Sequence, residues 1–289
     1  MTTTRFKHIT IIGVGLIGGS VARAIRRSQS DVQIVGFGRN TDNLDAACEL
    51  GVIDRYETDL SAAIQGADLI VIASPVGEFS TLMSNIGQHL EDTTIITDVG
   101  SVKQSVIDAS EALGDKQKNF VPGHPIAGTE KSGVEASFAE LFDDRVVLLT
   151  PTEQTDASAT DDVKVLWEMM GASVTLMDAS HHDQVLAATS HLPHILAYAL
   201  VDSLARNESH DEIFNFAAGG FRDFTRIASS SPDMWKDICL GNKKAVLEVM
   251  DNFMNDLSTL RLVIENQDAE TLLKIFANAK QARDSFTSK

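Results

Sequence analysis

Three glycines at fixed spacing, Gly13-Val14-Gly15-Leu16-Ile17-Gly18, constrain this chain more than any other feature. The β-branched run Ile9-Thr10-Ile11-Ile12 precedes them, and Gly19-Ser20 and the helical pattern Val21 to Arg27 follow. This is G-x-G-x-x-G between a strand and a helix, the context in which it binds a dinucleotide. Gly13 permits the tight turn, Gly15 lets backbone N–H groups reach a pyrophosphate at the helix N-terminus, and Gly18 lets helix and strand pack closely. The cofactor-binding set read here is Gly13, Gly15, Leu16, Ile17 and Gly18, with Ser74 and Pro75 from the loop after a later strand.

The rest of the first half continues as strand and helix in alternation. Val32 to Phe37 is the second strand, and Asp42 to Leu50 is a helix ending at Gly51. The second strand ends in Gly36-Phe37-Gly38-Arg39-Asn40, where an acidic residue normally meets the adenosine ribose. No carboxylate stands there. Arg39 suits a 2′-phosphate, which makes NADP the preferred cofactor and NAD the alternative, or else it is a solvated surface arginine.

Leu69 to Ala73 is continuously apolar, as a strand buried on both faces would be, and Ser74-Pro75-Val76 closes it under the cofactor. Glu78 to Leu90 reads as an amphipathic helix. Thr94 to Thr97 reads as a strand leading to Asp98-Val99-Gly100-Ser101-Val102-Lys103. Ser101 opens a helix over Val102 to Leu113, so its plain role is an N-cap, yet Ser101 and Lys103 stand at the sheet edge where ligands bind. Phe120-Val121, Val146 to Leu149 and Ala172 to Met177 are further strands, expected as extra strands on one side of the same sheet, and Asp161 to Met170 is a helix.

From Ala179 the pattern turns helical: His181 to Leu204 kinked at Pro193, then Ile213 to Phe216, Met234 to Leu240, Lys243 to Glu265 and Ala269 to Phe286. The expected architecture is α/β. A doubly wound Rossmann domain over residues 1–178 precedes an all-helical domain over 179–289.

Composition narrows the function. The 289 residues carry a formal net charge of −17, which argues against nucleic-acid binding and against docking on anionic lipid. An anionic substrate would need a local island of positive charge. Cys48 and Cys239 stand alone, at neither disulfide-framework nor metal spacing, so no metal is expected. Met1 to His8 has no signal-peptide core and no run is long enough to span a membrane, which leaves a cytoplasmic protein as the simplest expectation.

The chemistry concentrates in Gly123-His124-Pro125-Ile126-Ala127-Gly128-Thr129-Glu130-Lys131-Ser132-Gly133. It brings an imidazole, a carboxylate, an ammonium and a hydroxyl together at the end of a strand, a setting for acid–base work near neutral pH. Two later stretches add to it. Thr189-Ser190-His191-Leu192-Pro193-His194 holds a histidine pair, serving ligand or helix packing. Gly219-Gly220-Phe221-Arg222-Asp223-Phe224-Thr225-Arg226 holds two arginines, serving an anion or surface ion pairs.

These blocks, in this order and with Met234-Trp235 after them, resemble the prephenate/arogenate (cyclohexadienyl) dehydrogenases of tyrosine biosynthesis, and the match spans nearly the whole chain. The resemblance implies a Rossmann domain followed by a helical domain that forms a homodimer. It is to the family's minimal form, with neither a leading chorismate mutase segment nor a trailing regulatory domain. It implies oxidative decarboxylation of prephenate or arogenate, with hydride passing to NAD(P). His124 would be the catalytic histidine and Ser101 its helper. His194, Arg226, Trp235 and Ser190 would bind substrate, with Trp235 closing the pocket, and Glu130 would bear on the choice between the two substrates. A β-hydroxyacid dehydrogenase, expected to rely on a lysine of the helical domain, and a non-catalytic dinucleotide sensor are the alternatives; the histidine blocks suit neither.

Overall fold

The computed structural model describes residues 4–129 and 131–287. In chain order the first half runs β1 (His8–Ile12), α1 (Leu16–Ser28), β2 (Gln33–Phe37), α2 (Thr41–Glu49), β3 (Arg55–Glu57) and α3 (Leu60–Ile64). It continues with β4 (Leu69–Ile72), α4 (Phe79–His89), β5 (Ile95–Asp98), α5 (Gln104–Ser110) and β6 (Phe120–Val121). These six strands form one parallel sheet in the order β3-β2-β1-β4-β5-β6. That is the doubly wound order, and its topological switch point lies between β1 and β4, directly above the glycine turn.

The strands are apolar because both faces are covered. On β4, Leu69 and Val71 face one core with α1, α2 and a later helix. Ile70 and Ile72 face a second core with α4 and α5. All four are buried, and at about 2 kcal/mol for each fully buried aliphatic side chain this strand anchors the sheet.

The following strands do not extend this sheet. β7 (Gly123–Pro125), β8 (Val146–Leu149) and, after α6 (Ala157–Met169), β9 (Ser173–Leu176) form a separate three-stranded sheet. β7 is antiparallel to β8, and β8 is parallel to β9. Pro122 explains the break with the expected single sheet: it has no N–H to continue a ladder, and its carbonyl turns to Thr150 N at 2.9 Å. His124 therefore sits within a short strand.

From Asp178, whose side chain caps the first turn, the chain runs helically as α7 (Ala179–Leu186), a π-turn over Ala187–His191, and α8 (Leu192–Ala205). The expected break at Pro193 takes the form of this π-turn, which widens the helix where proline lacks its N–H. Next come α9 (His210–Asn215), α10 (Gly219–Thr225) and α11 (Pro232–Gly241), the last capped by Ser231 Oγ. α11 returns to the parallel sheet: Trp235 and Ile238 are buried in the second core with Ile72, Phe79 and Val102. α12 (Lys243–Glu265) and α13 (Ala269–Thr287) complete the chain.

The chain divides into two compact units, one up to Lys243 and one from Lys244 on. The second is a helical pair that leaves Leu247, Met254, Leu257, Leu262, Ile264, Leu273 and Phe276 exposed. Among the described residues no helix is long and apolar enough to cross a membrane.

Candidate active site

The carboxyl ends of β1, β2 and β4 open into a cavity of about 610 Å³ lined by Gly13, Val14, Gly15, Arg39, Asn43, Ser74, Pro75, Glu78 and neighbouring residues. Gly13 lies at φ +92°, and a Cβ there would stand 2.7 Å from the Ala73 carbonyl, so only glycine allows this crossing. Gly18 packs against the same turn: a Cβ would stand 2.1 Å from the Gly13 carbonyl. Gly15 is the N-cap of α1, with no side-chain cap and no acidic residue in the first turn, so the N–H groups of Leu16, Ile17 and Gly18 are left for an anion. These three residues offer their backbone N–H groups; their side chains do not wall the cavity. Ser74 Oγ is buried in the cavity region without a hydrogen-bond partner. A dinucleotide fits this donor set, with its pyrophosphate on the helix N-terminus.

Arg39 stands at the rim, as expected from sequence, but its guanidinium pairs with Glu78. A carboxylate thus does stand beside this rim, on the turn after β4, paired with Arg39. Only its neighbour Pro75, in the stretch already linked to the cofactor, could have pointed to it.

A second cavity, of about 690 Å³, is lined by Ser101, His124, Thr129, Arg145, Ser190, His194, Arg226, Met234 and Trp235, among others. Every substrate-site residue expected from sequence and described in the structure meets here. Glu130 lies outside the described residues. Trp235 is contributed by the same chain and stacks on His194 with ring centroids 3.7 Å apart. Arg145 is an additional wall residue that no motif marked, and Thr189 is one from a marked block that had been given no role.

His124 is 8% exposed, and behind it runs a relay the sequence did not reveal. His124 Nδ1 lies 2.9 Å from His182 Nε2, and His182 Nδ1 lies 2.8 Å from Asp183 Oδ1. Asp183 also accepts the backbone N–H of Lys103 (2.8 Å) and of Gln104 (3.0 Å), and so caps α5 from 80 residues away. This corrects the N-cap reading of Ser101: α5 starts at Gln104, and Ser101 is left facing the second cavity. Burial opposes the Asp183 charge, but the bonds from His182, Gln104 and Lys103 prevail and hold its carboxyl below the usual range.

A carboxylate can only accept, which orders the tautomers along the relay. His182 Nδ1 carries its proton toward Asp183, His182 Nε2 accepts from His124 Nδ1–H, and His124 Nε2 is left with its lone pair. Burial, then the neighbouring His182, Lys103 and His191, push the His124 imidazole well below its ordinary 6.5, so it is a neutral base.

His191 takes the packing role. It is buried, its Nδ1 lies 3.1 Å from Asn242 Nδ2, and burial first of all lowers its pKa to about 4. Lys103 corrects another expectation. It is fully buried and paired with Asp98, so it offers no charge to a ligand at the sheet edge.

One cavity suited to a nucleotide and another walled by a neutral base, both on the carboxyl edge of one parallel sheet, define a dinucleotide-dependent oxidoreductase. The family model for the prephenate dehydrogenase nucleotide-binding domain matches residues 21–176, and that for the prephenate dehydrogenase dimerization domain matches residues 178–278. The chain is 43% identical over 284 residues to a cyclohexadienyl dehydrogenase of Zymomonas mobilis, a match covering 97% of this chain and 96% of the relative. It is 39% identical to a prephenate dehydrogenase of Bacillus subtilis, covering 96% of this chain and 75% of that one. The crystal structure of Aquifex aeolicus prephenate dehydrogenase in complex with hydroxyphenyl propionate and NAD+ superposes with a TM-score of 0.92 at 38% identity, covering 99% and 100% of the two chains. The chain belongs to the prephenate dehydrogenase family.

Proposed function

We propose that this enzyme oxidatively decarboxylates prephenate and arogenate in tyrosine biosynthesis, with His124 as the base. The neutral His124 imidazole, held on the cavity wall by His182 and Asp183, carries this reading. The bound nicotinamide supplies the hydride acceptor. His124 Nε2 takes the proton of the ring hydroxyl as the hydride leaves the same carbon. The carboxylate on the opposite ring carbon then departs as carbon dioxide. Its electron pair aromatises the ring and ends on the hydroxyl oxygen, which regains the proton from His124. Ser101 would hydrogen-bond that oxygen. Arg226 would clamp a substrate carboxylate, where a fork binds better than an ammonium. His194, Trp235 and Ser190 would form the opposite wall.

The nucleotide choice turns on Arg39 and Glu78. Arg39 is the group for a 2′-phosphate and favours NADP, but it must leave Glu78 to act, so discrimination is modest and NAD is also used. Glu130 would favour the ammonium of arogenate over the keto group of prephenate; Glu130→Gln should then lower arogenate efficiency more than prephenate efficiency. The functional division falls near residue 178, with the helical remainder completing the substrate site and forming a homodimer through the exposed apolar faces of α12 and α13. The enzyme is read as cytoplasmic.

The test crosses prephenate or arogenate with NAD or NADP and follows absorbance of the reduced nicotinamide. No reduction with any of the four pairs would refute the reading. With an active pair in hand, His124→Asn should bind nucleotide normally and lose about 100- to 10,000-fold in kcat.

A further inference from the structure

Asp98 and Lys103 are both fully buried, yet the mechanism uses neither and neither walls the two cavities described above. Their partners show what they hold. Lys103 Nζ donates to Asp98 Oδ2 and, at 2.6 Å, to the carbonyl of Gly123. Asp98 Oδ1 accepts the N–H of Gly123 at 2.9 Å, and Oδ2 accepts that of Gly100 at 2.7 Å. Both backbone polar groups of Gly123 therefore end on this ion pair, one residue before His124. Gly123 has no room to drift: a Cβ there would stand 2.9 Å from the Asp98 carbonyl and 3.2 Å from Leu149 Cδ2.

Stability alone is a poor reason for such a pair. Removing two charges from water costs several kcal/mol each, and well-packed apolar residues often serve a core as well or better. Gly123, however, needs an acceptor for its N–H and a donor for its carbonyl from one rigid side, beside a strand that Pro122 has cut from the ladder. An acid and a base joined to each other provide both.

We propose that the buried Asp98–Lys103 pair is a positioning device for catalysis: it grips the Gly123 peptide groups and so sets the place of the His124 imidazole over the substrate cavity. The inference rests on His124 being the base. It makes the segment from Asp98 to Gln104 a double support, holding His124 through the main chain at Gly123 and through the side chains of Asp183 and His182.

The support is also electrostatic. The titratable groups near His124 are His182 and Asp183 from α7, His191 from the π-turn, and Lys103 with Asp98 behind the strand. His194, Arg145, Glu140 and Arg226 lie on the cavity wall. Lys103 does not line the substrate cavity, and its charge disfavours the imidazolium.

The test compares Lys103→Met with His124→Asn and wild type. Lys103→Met should melt lower but still bind nucleotide, as read by reduced-nicotinamide fluorescence. Its kcat should fall on the order of 100-fold, the effect of misplacing a catalytic group by an ångström, with the prephenate KM nearly unchanged. The acid limb of its kcat/KM profile should move to higher pH, which lost stability alone would not produce. A folded Lys103→Met with wild-type kcat and an unmoved acid limb, beside an inactive His124→Asn, overturns the positioning role. An active His124→Asn overturns the base assignment instead. If Lys103→Met does not fold, Gly123→Ala decides: it keeps the ion pair and displaces the strand. A lowered kcat with nucleotide binding retained supports the proposal, and full kcat overturns it.

Discussion

Asp183→Asn tests the relay most sharply, because shape is kept while donor and acceptor are exchanged. In the wild type the two carboxylate oxygens accept three hydrogen bonds, from Lys103 N, Gln104 N and His182 Nδ1. An asparagine has one oxygen, so its amide nitrogen must face donors. In the Oδ2 place that nitrogen orphans the part-buried Gln104 N–H, and in the Oδ1 place it orphans the buried Lys103 N–H, at a cost of about 1–3 kcal/mol. Loss of the negative charge at the helix N-terminus adds about 0.3–1 kcal/mol. In the Oδ1 place it also faces His182, and the tautomers reverse: Nδ1 accepts, Nε2–H donates to His124 Nδ1, and His124 Nε2 becomes a donor that cannot take a proton. Stability should therefore drop by about 1–4 kcal/mol in urea melts. With the tautomers reversed, the kcat for prephenate should fall on the order of 10,000-fold, as it does when a base's tautomer is reversed in the serine-protease triad. The assay is initial-rate reduction of nicotinamide at saturating substrate, with nucleotide affinity as the control for folding. A folded Asp183→Asn whose imidazole nitrogen shifts show the reversed tautomers, yet which turns over at nearly the wild-type rate, would refute the tautomer argument.

Arg226→Ala should raise the prephenate KM while sparing nucleotide affinity; a loss confined to nucleotide binding would remove it from the substrate site. Glu78→Gln should raise the efficiency of NADP relative to NAD by releasing Arg39, and Arg39→Ala should reverse the gain, both read as kcat/KM ratios. For His191, the folded pKa of about 4 lies below the ordinary 6.5, so the unfolded chain binds the extra proton between these values. Its contribution, about 3 kcal/mol, is present above pH 6.5 and lost as pH falls toward 4. Urea melts at pH 7 and pH 4.5 should show a larger acid loss for the wild type than for His191→Gln.

The order of residues along the chain was enough to determine the glycine turn and the parallel strands beside it. A glycine turn between an apolar strand and a helix is a local object: its tight turn, its uncapped helix end and its buried neighbours follow from residues 9–27 and the apolar run of β4. His124, Ser101, Ser190, His194, Arg226 and Trp235 likewise stood out in the sequence, by their compact blocks and by the order those blocks share with a known family, and all six line the second cavity.

What they do together depends on contacts between distant segments. His182 and Asp183 are two polar residues on an ordinary helix until α7 packs on α5, 80 residues away, and makes them the relay behind His124. Lys103 reads as an edge cation until Asp98 and Gly123 close over it. Glu78 meets Arg39 only because β4 lies beside β1 at the switch point of the sheet. Hydrophobic periodicity records which face of an element is buried, but it carries no record of which partner covers that face. Hydrogen-bond direction, tautomer and charge at this site are properties of the partner, and for that reason only the tertiary structure decided them.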